Sequence, residues 1–203
     1  MATRNLFFLV SVFIFALSSC NDKKSREFPL SELEEGDILF RKGNGGKTRT
    51  VLMADTEGIY SHVGIVVVTD SGFMAVHITP GERHSEETED YIKMERLEHF
   101  FSPKLASQGA FMRLQDSSCA PRKAAKYAIA FYEERIIFDN DYNLGDPSKM
   151  YCTELIWRVF QLAGKDITNG RRSFVRGFPL YSGEYIFPSD ISKNEQLIEY
   201  YRF

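Results

Sequence analysis

Apolar residues first appear as one block. Leu6 to Leu17 are apolar apart from Ser11, and Arg4 is the single charge ahead of Cys20. Twelve residues at about 1.5 Å each cover under two-thirds of a ~30 Å hydrocarbon core, so the block predicts a secretory signal region, not a membrane span. Beyond the polar stretch Asn21 to Glu27 the pattern alternates. Ile38-Leu39-Phe40 predicts a short strand after the turn at Gly36-Asp37, and Arg41 to Thr50 a Gly- and Lys-rich loop. Val63 to Thr69 is β-branched and apolar and predicts a buried strand. Asp70-Ser71-Gly72 is a turn, Phe73 to Ile78 the returning strand, and residues 80–92 a polar surface loop. Ala110 to Leu114 reads as a further strand. The period then lengthens: Ala124, Tyr127, Ala128 and Phe131 mark an amphipathic helix over 121–138. The stripe Cys152, Leu155, Ile156, Val159, Ala163 marks a second over about 150–163, with start chemistry at Asp146-Pro147-Ser148 and a stop at Gly164. Pro188-Ser189-Asp190 opens a last short helix. Strands followed by helices predict an α+β fold, a mostly antiparallel sheet packed on helices.

The 203 residues are 43% hydrophobic and 26% charged, an ordinary globular balance. A net charge of −3 and a pI near 5.9 give no basic field to collect nucleic acid, and that class of partner is excluded. Leu17-Ser18-Ser19-Cys20 looks like a bacterial lipobox. The expected organisation is therefore a signal peptide over 1–19, a lipidated Cys20 with its tether over 20–27, and one domain over 28–203. Such a protein is exported and held to the cell envelope by its acyl chains, the membrane being a partner through that anchor. Two motifs fail on inspection. Gly46-Lys47-Thr48 lacks the P-loop glycine, since Arg41 stands there. Asp139-Asn140-Asp141 starts like a calcium loop, but Leu144 and Met150 occupy the Gly and Glu places. No zinc spacing of Cys and His occurs, so neither metal nor cofactor is expected.

Cys152 falls at a helix start, where unpaired N–H groups favour thiolate and lower the thiol pKa. It also fits the apolar stripe, and alone it would read as a core residue. A Cys119–Cys152 disulfide is a further structural reading, because an exported chain can oxidise. His62 stands at the mouth of the Val63 strand. With Asp70-Ser71 as a two-residue loop, Thr69 pairs with Gly72 and His77 falls opposite Gly64, on the face of His62 and within side-chain reach. Gly64 would leave the space between the imidazoles open. Glu154 is expected in a solvated or capping role, Trp157 in the core or an interface, and His84 and His99 exposed. Arg171, Arg172 and Arg176 read as a salt-bridged surface.

Three blocks, Gly36-Asp37-Ile38-Leu39-Phe40, Tyr60-Ser61-His62-Val63-Gly64-Ile65-Val66 and Tyr151-Cys152-Thr153-Glu154-Leu155-Ile156-Trp157, resemble the YiiX-type circularly permuted papain-like hydrolases, relatives of the NlpC-type cell-wall cysteine peptidases. The resemblance implies a permuted papain-like core over roughly 30–200, with Cys152 as nucleophile and His62 as base. It places His77 where the permuted group often has Glu and NlpC-type enzymes commonly have His. Relatives often carry Tyr-Asp upstream of the nucleophile. This chain has Phe138-Asp139, so a phenolic oxyanion donor would have to come from Tyr142 or Tyr151. The expected activity is thiol-dependent cleavage of a small peptide-like amide of cell-wall type. The alternatives are acyl transfer or hydrolysis on a lipid-like substrate, and a binding lipoprotein without catalysis.

Overall fold

Thr69 pairs with Gly72 across Asp70-Ser71, and this tight turn sets the register of the central hairpin. The computed structural model describes residues 28–82, 86–115, 118–177 and 180–203. The predicted signal region, Cys20, its tether and His84 lie outside the described residues. In chain order the elements are β1 (Ile38–Lys42), α1 (Gly46–Ala54), β2 (His62–Thr69), β3 (Gly72–His77), β4 (Lys93–Arg96) and α2 (Leu97–Phe100). They continue with β5 (Gln108–Leu114), α3 (Ala120–Glu133), β6 (Ile137–Phe138), β7 (Lys149–Met150) and α4 (Cys152–Leu162). The last are β8 (Ser173–Val175), β9 (Gly183–Tyr185), α5 (Pro188–Ser192) and β10 (Leu197–Arg202).

Six strands form one sheet in the order β10-β5-β1-β2-β3-β4, each pair antiparallel. Side-chain alternation divides β2 between two cores. Val63, Ile65 and Val67 pack with Leu155, Ile156, Val159 and Phe160 of α4 and with the alanines of α3. Burying each such aliphatic side chain contributes roughly 1.5–3 kcal/mol, which fixes α4 across the sheet. Val66 and its neighbours Leu39, Ala75 and Phe111 pack on the other face, against Leu97, Phe100 and Phe101. His62 and His77 belong to this second face; their rings lie 5.7 and 5.1 Å from that of Phe100.

Several boundaries differ from the sequence expectation. The Arg41–Thr50 stretch is the end of β1 followed by the first turns of α1, which Gly45 caps. Helix α3 stops at Glu133, and Arg135 turns the chain at φ 54° so that Ile137-Phe138 pairs in parallel with Lys149-Met150. Asp146-Pro147-Ser148 begins no helix; the cap of α4 is Tyr151. Edge strands β4 and β10 carry Lys, Glu and Arg, a composition that protects exposed edges but hides them from a hydrophobic pattern.

Candidate active site

Cys152 is the first residue of α4, and two hydrogen bonds pin its neighbours to Ile186. The Tyr151 hydroxyl accepts the Ile186 N–H at 3.0 Å, and the Thr153 hydroxyl donates to the Ile186 carbonyl at 2.5 Å. From the other side Ser61 fastens the start of β2. Its hydroxyl accepts the Gly43 N–H and lies 3.0 Å from Thr48 Oγ1. The half-buried thiol receives the backbone N–H of Val63, next in sequence to His62. Cys152 and His62 line one cavity of about 580 Å³. Cys119, the cap residue of α3, is exposed, and both cysteines are free, so the two form no disulfide in this structure.

His62 Nε2 lies 2.9 Å from His77 Nδ1, as the hairpin register predicts. Gly64 does not leave an open space: Phe100 Cε2 and His77 Cβ would each sit 3.2 Å from a side-chain carbon there. Glycine is needed because aromatic and imidazole rings fill the site. Behind His77 stands a carboxylate that sequence reasoning missed. Glu95 Oε1 lies 3.0 Å from His77 Nε2, and Glu95 Oε2 lies 2.6 Å from Nδ1 of exposed His99. The pairing of Ala75 with Glu95 puts His77 and Glu95 on a diagonal of the β3–β4 ladder. The spacing Glu95–His99 and the apolar Ile92 before β4 were the available signals.

Burial governs the electrostatics. It pushes the Cys152 thiol up to about 11, although hydrogen bonds from Val63 and Thr153 and the Arg41 charge pull the other way. The expected lowering by the helix start is outweighed because desolvation of a thiolate costs more than a few N–H groups return. Burial, with the Arg41 and Lys93 charges adding to it, holds His62 well below the ordinary histidine value. The resting pair is thus a thiol and a neutral imidazole. Burial also lowers His77, against the raising influence of Glu95. For Glu95 burial raises the carboxyl, yet the bonds from His77 and His99 outweigh it and hold the group at about 2. Arg41 is a second residue that the sequence left unassigned. It is buried, donates to the Phe100 carbonyl at 3.0 Å and to Glu82 at 2.7 Å, and lines the cavity.

Tyr142 also lines the cavity, and burial together with the Cys152 and Asp139 charges pushes its phenol up to about 12. It adopts φ 54° in a loop folded around buried Asp139, whose carboxylate accepts the N–H of Asp141 at 2.9 Å and that of Asn143. The stretch that starts like a calcium loop therefore spends its first carboxylate on its own backbone. Tyr151, the other phenol, spends its oxygen on Ile186.

Residues 32–176 match the permuted papain-like amidase enzyme, YaeF/YiiX, C92 family. The chain belongs to that family. It is therefore an amide hydrolase of the cysteine-peptidase type with a permuted papain-like fold. Among solved structures this permuted amidase resembles YiiX from Escherichia coli O157:H7, described as a metalloprotein, with a TM-score of 0.65 and 17% identity over 84% of this chain and 97% of that one. Set against curated proteins, the sequence finds no match. Among the described residues no group of three or more His, Cys, Asp or Glu could hold a metal ion. Of the two roles expected for Glu154 the structure shows capping and not solvation: it is fully buried, accepts the N–H of Tyr151, the cap residue of α4, and is bound by Arg158 at 2.9 Å. Trp157 is half-buried, with the Arg172 guanidinium 4.8 Å above its ring, and Arg171 pairs with Glu57 at 3.0 Å.

Proposed function

We propose that this amidase cleaves a small peptide-like amide of cell-wall type, with Cys152 as nucleophile, His62 as base and His77 holding the His62 ring. The observation that carries the reading is the thiol at the tip of α4 sharing a cavity with an imidazole whose other nitrogen is engaged. With Nε2 taken by His77, Nδ1 is the atom of His62 left to receive a proton. On binding, the Cys152 proton passes to His62 Nδ1 as sulfur bonds to the carbonyl carbon. The carbonyl oxygen gathers charge, which the Cys152 N–H and the Tyr142 phenol stabilise. The C–N bond then breaks, the amine leaves with the proton from His62, and water releases the thioester as acid and thiol. Glycines 43, 45 and 46 with Lys47 and Lys104 form a polar rim suited to a peptide backbone and its carboxylate. An aromatic wall of Phe138, Tyr142, Tyr151, Tyr185 and Phe187 favours a second reading, a lipid-like acyl group. Export and anchoring through Cys20 complete the proposal and place substrate at the envelope.

The test is alkylation with iodoacetamide beside turnover of cell-wall digests and lipid extracts. Cys152→Ala should abolish turnover and lose the protected, slow alkylation, whereas Cys119→Ala should leave turnover intact. Alkylation of Cys152 should climb about tenfold per pH unit toward about 11, since thiolate is the attacking species and burial keeps its fraction small. Retained turnover in Cys152→Ala removes the nucleophile from the scheme.

A further inference from the structure

We propose that Glu95 is a positioning residue that, through His77, fixes which nitrogen of His62 carries the proton. The inference rests on the hydrolase reading for its catalytic meaning, but its geometry stands alone. An ionised carboxylate only accepts, and Glu95 Oε1 lies 3.0 Å from His77 Nε2, off the line of a hydrogen bond as the two atoms stand; a bare ring nitrogen so close to the carboxylate would be repelled, which favours the hydrogen on the imidazole Nε2. A neutral imidazole has one N–H. His77 Nδ1 is therefore a bare acceptor, and it lies 2.9 Å from His62 Nε2. That contact needs its hydrogen from His62, which leaves His62 Nδ1 with an open lone pair. The reverse arrangement would put a bare His77 nitrogen against a carboxylate, two acceptors face to face beside a fully buried ring.

Three further features support the assignment. Burial disfavours protonation of both imidazoles, so the one-proton count holds for each. The second Glu95 oxygen is held by His99 at 2.6 Å, which orients the carboxylate toward His77. Phe100 lies against both His62 and His77, so neither ring is free to turn away. Glu95 touches no reacting atom; it acts through His77, and its negative charge also favours the imidazolium that His62 becomes during attack.

Nitrogen-15 NMR of the full chain reads the proton positions without turnover, and iodoacetamide alkylation of Cys152 reads their consequence. His62 and His77 should both carry hydrogen on Nε2. Glu95→Leu should mix the two arrangements and slow alkylation by the share of His62 that loses its open Nδ1, about twofold for an equal mixture. Glu95→Asp should restore the single arrangement. Should Glu95→Leu not fold, Glu95→Gln keeps the shape without the charge and should show the mixture. Hydrogen on His62 Nδ1 in the native chain, or unchanged spectra and rate in Glu95→Leu and Glu95→Gln, overturns the proposal. Turnover retained by Cys152→Ala would instead remove the hydrolase reading and leave the proton assignment standing.

Discussion

At Gly64 the position of a side-chain carbon is already crowded: the Val76 carbonyl would be 3.1 Å away, and His77 Cβ and the Phe100 ring 3.2 Å. The backbone and two rings must give way before an alanine fits. Overpacking of this kind costs roughly 1–3 kcal/mol. Gly64→Ala should therefore lower the thermal midpoint and, by displacing His77, cut amide turnover at least tenfold. A variant with full turnover would show that the His62–His77 contact tolerates movement. Cys152, His62 and His77 were nameable as candidates only together: alone Cys152 reads as core, and it took the hairpin register, the helix start and the family resemblance to single out the three. Glu95 and Arg41 were not readable. Lys, Arg, Asp and Glu make up a quarter of the chain, and only a fold tells a buried acceptor from a solvated one.

Between elements, the tip of α4 and the loop after β6 are joined by one side chain. Arg158 donates from Nε to Glu154 at 2.9 Å and from Nη2 to the Leu144 carbonyl at 2.8 Å. Glu154 is fully buried, and desolvation raises its carboxyl to about 7 against the pull of Arg158. The same loop carries Tyr142 at φ 54°, a conformation costing roughly 1–2 kcal/mol for a residue with a Cβ. Arg158→Lys keeps the charge but its single ammonium cannot serve both acceptors in the same fork geometry. The loop should loosen, amide turnover should fall about tenfold, and iodoacetamide alkylation of Cys152, which needs no oxyanion donor, should hold. Equal loss in both assays would place Arg158 in general stability instead. Long apolar periods made β2, β3, α3 and α4 legible at this scale. The loop was not: its order comes from Asp139 and Arg158 binding backbone, a use of charge that leaves no period.

For the molecule as a whole, the proposed anchor separates address from chemistry. No described helix is long and apolar enough to cross a membrane. If Cys20 is the attachment point, Cys20→Ser should move the protein from the membrane fraction to the soluble one and end incorporation of labelled palmitate, with Cys152 alkylation unchanged. Palmitate retained by Cys20→Ser would remove the anchor. By itself the sequence determined the hairpin register, the helix that presents the thiol and the α+β class. Each follows from local rules: a two-residue turn, a period of two or 3.6, a residue that must cap or break. The tertiary structure decided what those groups are worth. Burial raised the thiol instead of lowering it, closed the gap over Gly64 with Phe100, and brought Glu95 from an unremarkable polar stretch behind His77. These outcomes depend on how much water is excluded and on which distant strands become neighbours, quantities set by the packed sheet and encoded at no single position in the chain.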